Sequence, residues 1–448
     1  MKYETQKLAY PYFLAALGLF AAQVLGGLLA GTIYIFPNLL SEIVPFNIIR
    51  MIHTNALIVW LLFGFFGAAY YLVPEEAETE IHSPLIARLQ FWLFLVAAAT
   101  AVVGYLFGFH EGREFLEQPL PIKVAIVVVA LMFLYNISMT LLKGRKTAVS
   151  VILVMGLWGL ALFFLFSFYN PENLALDKLF WWYVVHMWVE GVWELIMASI
   201  LSFLLIKMTG VDREIIEKWL YVIVSMALFS GLLGMGHHYY WIGTPGYWQW
   251  VGSIFSALEV LPFFAMVVFA FAIVRKGGRN HPNQAALLWT LGCAVLAFFG
   301  AGVWGFMQTL APVNYLTHGT QITAAHGHLA FYGAYVMVNL AMITYAMPHL
   351  RGLQPYNQSL NKWSFWIISS AMVLMTLALT AAGIVQTQLQ RVMGISFMEV
   401  ADEINFFLVL RGVFGAVVMI GVLLLIYATL GPDKSQARAE KLKGQPAQ

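Results

Sequence analysis

Cysteine is almost missing from this chain: Cys293, inside an apolar run, is the only one in 448 residues. A single thiol excludes a disulfide framework, an iron–sulfur cluster and a CxxCH haem-attachment site on this polypeptide. Charge is scarce too. Only 10% of residues are Asp, Glu, Lys or Arg, against 61% hydrophobic, and the mean hydropathy is +0.79. No soluble domain has that balance, so the composition predicts a polytopic protein embedded in a lipid bilayer. A net charge of +2, carried by basic residues in short loops rather than a patch, argues against nucleic acid as a partner. The first 36 residues have no small-residue cleavage site and read as a first membrane helix rather than a removable signal. No fixed-period repeat and no inserted soluble domain interrupts the rest.

What is there is a series of long apolar segments. Twelve spans are predicted, at about 12–36, 50–73, 86–108, 121–143, 147–168, 178–207, 215–242, 250–275, 284–309, 321–347, 362–390 and 402–430. Each is long enough to cross a hydrocarbon layer of about 30 Å. The expected fold is all-α, a single transmembrane domain over 1–448 with a polar tail at 431–448. Placing the N-terminus inside assigns eighteen Lys and Arg to the cytoplasm, the tail's Lys434, Arg438, Lys441 and Lys443 and Arg279 among them. The opposite side receives five, Arg50, Arg113, Lys123, Lys178 and Arg391, and Arg411 lies within the twelfth span. That imbalance predicts both termini in the cytoplasm.

Against this apolar background a few polar residues stand out. His53, His186, Glu190, Glu194, His237, His238, Glu259, His326 and His328 all fall in the outer half of their spans. A carboxylate inside a membrane costs roughly 2.5–3.5 kcal/mol even on the lenient insertion scale. Histidines buried for packing alone would scatter in depth, and these do not. His186 and Glu190 are four residues apart in HMWVE, about 40° around a helix, and Glu194 continues that stripe. His237 and His238 in GMGHHYY can both face one centre if the helix end opens. Three imidazoles and a carboxylate suit a non-haem iron better than a thiolate-seeking copper site. His326 and His328 in AAHGHLAFYGAY point about 200° apart on a helix. One helix can therefore ligate two haems, His328 together with His53 on one side and His326 alone on the other.

Each motif alone has a blander reading. A single intramembrane histidine is commonly a packing or proton-relay residue, and Gly327 within HGH could mark a helix–helix contact. FWWYVVHMW reads mostly as interfacial belt and lipid-facing bulk, and EEAETE at 75–80 as a hydrated loop. His82, His110, His281, His318 and His349 read as solvated. Shared depth with matching acids lifts the nine above that background.

The ordered set of His in span two, HxxxE in span six, HH at the end of span seven and HxH in span ten resembles the haem–copper oxidase superfamily. It is most similar to the catalytic large (cytochrome b) subunits of bacterial cytochrome c-dependent nitric oxide reductases. The likeness runs through PFNIIRMIHTN, YYLVPEE, GREFLEQP, FSFYNPENL, VVHMWVEGVWELIM, TGVDREIIEKWLYV, GHHYYWIG, GYWQWVGSIFSALE, GAGVWGFMQTLAPVNYLTHGTQ and TAAHGHLAFYGAY. The acid at Glu190 stands where oxygen-reducing relatives of types A and B carry a tyrosine.

The resemblance implies a subunit I-like bundle with His53 and His328 as axial ligands of a low-spin haem b, and His326 as proximal ligand of a high-spin haem b3. It further implies a non-haem iron held by His186, His237, His238 and Glu190, with Glu259 and Glu194 supplying protons or tuning the metal. Glu114 in GREFLEQP would bind a calcium between haem propionates, with Arg113 and Glu117 as supporting or proton-admitting residues. The implied reaction joins two molecules of nitric oxide, with two electrons and two protons, into nitrous oxide and water. Electrons would come from a membrane-anchored c-type cytochrome subunit, itself reduced by a soluble cytochrome c or a small copper protein. The expected location is the bacterial cytoplasmic (inner) membrane, with the site toward the periplasm. Two alternatives stay open from the sequence. One is an oxygen reductase of the high-affinity type; the other is a twelve-helix secondary transporter using its His/Glu set as a proton relay.

Overall fold

The computed structural model of the chain describes residues 1–40, 42–277, 281–352 and 357–431. The expected tail, apart from Gly431, and Arg279 lie outside the described residues. Among the described residues all regular structure is helical, and twelve helices are long and apolar enough to cross a membrane. In chain order they are α1 (Glu4–Ile35), α2 (Phe46–Ala77), α3 (Pro84–Leu106), α4 (Leu120–Lys143), α5 (Ala148–Phe168) and α6 (Leu174–Thr209). The second half comprises α7 (Arg213–Tyr239), α8 (Tyr247–Lys276), α9 (Gln284–Thr309), α10 (Gln321–Leu350), α11 (Gln358–Val392) and α12 (Asn405–Leu430). Short helices Ala311–Thr317 and Phe397–Glu403 lie between spans.

The helix starts follow local chemistry. Ser83 caps α3 by accepting from the Ile86 N–H, with Pro84 as first helical residue. Thr147 and Ser150 form a capping box on α5, Asp212 caps α7 and Asn283 caps α9. Each satisfies an N–H that the first helical turn leaves without a partner. At its other end α6 stops at Gly210, whose φ of 65° lies in the left-handed region glycine favours.

Three helices form the interior: 83%, 83% and 89% of the most apolar windows of α2, α6 and α10 are buried. These three carry His53, His186 with Glu190 and Glu194, and His326 with His328. α1 packs along α2 and α12, α11 along α10 and α12, α5 along α6 and α7 along α8.

Regular α-helix gives way at several points, most of them near the candidate residues. Wide π turns interrupt α6 at Trp188–Val192, α9 at Phe298–Trp304, α10 at Tyr332–Val336 and α11 at Thr387–Val392. α7 ends in a 3-10 turn over Met235–Tyr239. The expected opening of the helix at His237 and His238 is thus a tightening. Such local departures cluster at functional sites because they re-aim side chains without breaking the helix.

Three sequence expectations need correcting. The 75–80 segment is no hydrated loop: α2 runs to Ala77, and the buried Glu76 accepts two bonds from Arg213, at 2.6 and 2.9 Å, and one from Thr147 at 2.7 Å. Glu75 pairs with Lys207, so these acids staple the ends of α2, α5, α6 and α7 together. Gly327 marks no helix contact, since a Cβ there would meet open space. The tryptophans of FWWYVVHMW are not mainly lipid-facing: Trp188 is buried, and the Trp182 ring lies parallel to His238 with centroids 5.0 Å apart. Hydropathy cannot separate a lipid-facing tryptophan from one packed on a polar ring.

Candidate metal centre

His186, Glu190, His237 and His238 converge. Each offers a ligand atom, and these atoms all lie within 4.8 Å of one another. Among the described residues this is the one group of three or more His, Cys, Asp or Glu close enough to hold a metal ion.

The π turn brings Glu190 into place. Its backbone (φ −109°, ψ 17°) is not helical, and its carboxylate meets all three rings. Oε2 lies 3.4 Å from His186 Nδ1 and 3.5 Å from His237 Nε2, and Oε1 lies 3.2 Å from His238 Nε2. The adjacent Val189 carbonyl accepts from the Tyr335 hydroxyl on α10, which ties the turn to the central helix. Two glycines of α7 allow this approach. A Cβ on Gly231 would sit 2.3 Å from the Glu190 carbonyl oxygen, and one on Gly234 would sit 2.3 Å from Glu259 Oε1.

Hydrogen bonds fix which ring nitrogen faces the centre. The Gly231 carbonyl is 2.7 Å from His186 Nε2; a carbonyl only accepts, so Nε2 carries the proton and Nδ1 turns its lone pair inward. Ser256 Oγ donates to the Gly234 carbonyl at 2.9 Å and therefore accepts from His237 Nδ1 at 2.7 Å. That leaves the His237 Nε2 lone pair facing Glu190. This is how imidazoles are held as metal ligands. His186 is fully buried and its Nδ1 has no hydrogen bond, an arrangement that costs about 1–3 kcal/mol unless something binds there. A divalent cation among the three rings and the carboxylate would remove that cost, and borderline nitrogen and oxygen donors suit iron.

Glu194 and Glu259 are both buried and lie near enough to Glu190 for their charges to act on one another. Glu259 falls at the break between the two halves of α8, and its Oε1 has no hydrogen-bond partner.

The HGH motif does point two ways. His326 Nδ1 meets the Gly300 carbonyl of the α9 π turn at 3.1 Å. His328 turns instead toward α2, its ring 6.4 Å from the His53 ring with 28° between planes. His328 Nδ1 donates to the Ala324 carbonyl at 2.7 Å and His53 Nδ1 to the Gln23 carbonyl at 2.8 Å. In all three histidines the carbonyl engages Nδ1 and not Nε2; Gln23 Nε2 lies 3.5 Å from His53 Nε2.

The GREFLEQP loop is held by ion pairs instead of a ligand cluster. Glu114 pairs with Arg50, Arg113 with Asp177, and Glu111 with the buried Lys123. Glu117 is buried and accepts from Asn55 Nδ2 at 2.8 Å. Burial pushes its carboxyl up to about 7, opposed in part by that hydrogen bond. His82, His110, His281, His318 and His349 stand apart from the metal cluster; His318 and His349 are exposed and the other three half-buried. Sequence reasoning missed Ser256, Gly231, Gly300, Tyr335 and Trp182. Of these only Ser256 left a signal, three residues before Glu259 in FSALE.

Comparison with known proteins agrees with this geometry. Residues 7–417 match the family described as cytochrome c and quinol oxidase polypeptide I. A nitric oxide reductase subunit of Stutzerimonas stutzeri is 57% identical over 450 residues, covering 96% of this chain and 95% of the relative. The cbb3-type cytochrome c oxidase subunit CcoN1 of the same organism is 24% identical, over 86% of this chain and 85% of its own. A haem–copper terminal oxidase dimer solved by cryo-electron microscopy superposes with a TM-score of 0.72 at 15% identity, covering 95% of this chain and 84% of that one. That last likeness speaks for the fold alone. The chain belongs to the cytochrome c and quinol oxidase polypeptide I family of the haem–copper oxidase superfamily, and within it is closely related to the nitric oxide reductase polypeptide of Stutzerimonas stutzeri.

Proposed function

We propose that this chain is the catalytic subunit of a nitric oxide reductase, joining two molecules of nitric oxide to nitrous oxide and water with two electrons and two protons. One observation carries the reading: a carboxylate, Glu190, completes a three-histidine cluster in a chain 57% identical to a nitric oxide reductase polypeptide.

His186 Nδ1, His237 Nε2, His238 Nε2 and Glu190 would hold a non-haem iron. His53 and His328 fit a low-spin haem b, since in each ring a carbonyl engages Nδ1 rather than Nε2 and the rings lie nearly parallel. His326 fits the proximal position of a high-spin haem b3, held in one orientation by the Gly300 carbonyl. When bound, the haem with an open face and the iron supply one-electron redox chemistry at two adjacent metals. Glu190 would put anionic charge on a bound iron and so disfavour its reduced form. Glu259, with an unpartnered oxygen in a site of low dielectric, can hold a transferable proton, and Glu194 can exchange with it. Tyr335 and the π turn keep Glu190 aimed at the three rings, which is an orienting task.

Calcium at Glu114 would need oxygen ligands beyond this chain's carboxylates: calcium takes six to eight oxygens, the Glu114 carboxylate is paired with Arg50, and among the described residues no group of three or more His, Cys, Asp or Glu forms around it. Arg113 and Glu117 would hold the outer loop, with Glu117 able to exchange protons near neutrality. Electrons would come from a membrane-anchored c-type cytochrome subunit, fed by a soluble cytochrome c or small copper protein. The lone cysteine is buried and leaves no c-type attachment on this chain, and the relative's name makes it one subunit of an enzyme. The single catalytic domain would lie in the inner membrane with both termini cytoplasmic and the site toward the periplasm, an orientation the Lys/Arg distribution supports.

Purified complex given nitric oxide and a reductant should form nitrous oxide, one per two molecules consumed. Rapid oxygen reduction with stoichiometric copper and no nitrous oxide would establish the high-affinity oxidase reading instead.

A further inference from the structure

Arg411 is a charged residue inside a span, α12, that has no part in the site just described. Arg411 lies six residues into α12 from Asn405, His53 seven into α2 from Phe46, and His328 seven into α10 from Gln321. At 1.5 Å per residue all three are about 9–10 Å from the outer ends of their helices. The arginine is half-buried, and among the described residues no carboxylate lies within ion-pair distance of it. Its guanidinium instead sits over the Tyr34 ring of α1, 5.0 Å from the centroid. Arg50, the other cation beside His53, differs in this respect because Glu114 neutralises it. Gly27 and Gly31, four residues apart on α1 and so about one turn, face His53 Cε1 and Arg411 Nε respectively, and the His328 ring lies 6.4 Å from that of His53.

An uncompensated arginine within a membrane is costly and rarely retained without a task. In a medium of low dielectric a positive charge favours whichever state of a neighbour carries more negative charge, and for an iron that gains one electron that is the reduced state. α1 is also shaped to let the site close: a Cβ on Gly27 would lie 2.6 Å from His53 Cε1, and one on Gly31 3.8 Å from Arg411 Nε. Glycine at both positions lets α1 pass beside the imidazole and the guanidinium.

We infer that Arg411 is an electrostatic tuning residue for electron acceptance at the His53–His328 group: its unpaired charge raises the reduction potential there, so that an electron arriving from the c-type donor is held before passing inward. Arg411 touches no reacting atom; it acts through the field at the two axial rings. This rests on the proposed low-spin haem at His53 and His328, and the two can fail separately.

The test is a spectroelectrochemical titration of the whole complex, following the low-spin haem band. Arg411→Gln should keep the band but lower its midpoint, by on the order of tenfold in the reduced-to-oxidised ratio at fixed potential, or about 59 mV for one electron. Arg411→Lys should restore most of the shift, and the high-spin haem should move less. An intact band with an unmoved midpoint, or a Lys variant that falls as far as the Gln variant, overturns the inference. Should Arg411→Gln fail to assemble, Tyr34→Glu carries the test, because a carboxylate there cancels the charge with the arginine still present. A lowered midpoint in that variant supports the tuning role, and an unchanged one overturns it. A native complex without any low-spin haem would instead remove the reading on which the inference rests.

Discussion

The Ser256 hydroxyl decides which nitrogen of His237 is available, because its own proton is spent on the Gly234 carbonyl. Removing it frees the ring to flip or change tautomer. Ser256→Ala should therefore weaken iron binding by about 10–100-fold, read as iron retained after dialysis against a chelator, while the low-spin haem spectrum stays unchanged. A second residue, Glu117, predicts a pH dependence. Its folded value of about 7 lies above the ordinary 4.5 of a carboxyl, so between these values the unfolded chain binds fewer protons. Stability then falls as pH rises through that window and levels off above about 7, a loss on the order of a few kcal/mol. Thermal unfolding of the complex across the window from about 4.5 to about 7 should show that decline, and Glu117→Gln should flatten it. At this scale the chemistry was legible. Histidines and glutamates inside apolar spans announce themselves because a bilayer penalises them, but Ser256, a small hydroxyl that costs little anywhere, does not.

Elements explain what residue spacing could not. Four-residue spacing correctly put Glu190 on the side of His186, yet a regular helix does not produce the contacts seen. The π turn at Trp188–Val192 does, and α7 meets it with Gly231, whose carbonyl accepts from His186 while its missing side chain leaves room for the Glu190 backbone. Gly231→Ala should push α7 and α6 apart at a cost of about 1–3 kcal/mol. Its expected signature is loss of non-haem iron with the His53–His328 haem preserved, measured by metal analysis beside the optical spectrum. A wide turn and a close glycine leave no mark on hydropathy, since both are settled by what packs opposite. The same holds for Glu76, which read as loop by charge alone and is buried because Arg213 and Thr147 arrive from other helices.

Across the whole molecule the twelve spans were legible almost to the residue at their middles, because length and apolarity decide them. Their ends moved where a cap or ion pair extended the helix, as at Ala77 and at Leu174, four residues before the expected start of α6. The Lys/Arg distribution predicts a C-terminus on the cytoplasmic side; a reporter active only in the cytoplasm, fused after Gln448, should be active, and an inactive fusion alongside an active periplasmic one would reverse the topology. The transporter alternative gives way to the family match over residues 7–417.

The central claim is that three imidazoles and Glu190 hold a non-haem iron beside the haems. Iron, copper and haem quantified together in the purified complex, native and Glu190→Ala, test it most directly. The account predicts one iron beyond the haem irons in the native protein, no copper, and selective loss of that iron in the variant with haem content intact. Stoichiometric copper, or a variant that keeps its extra iron, would contradict it.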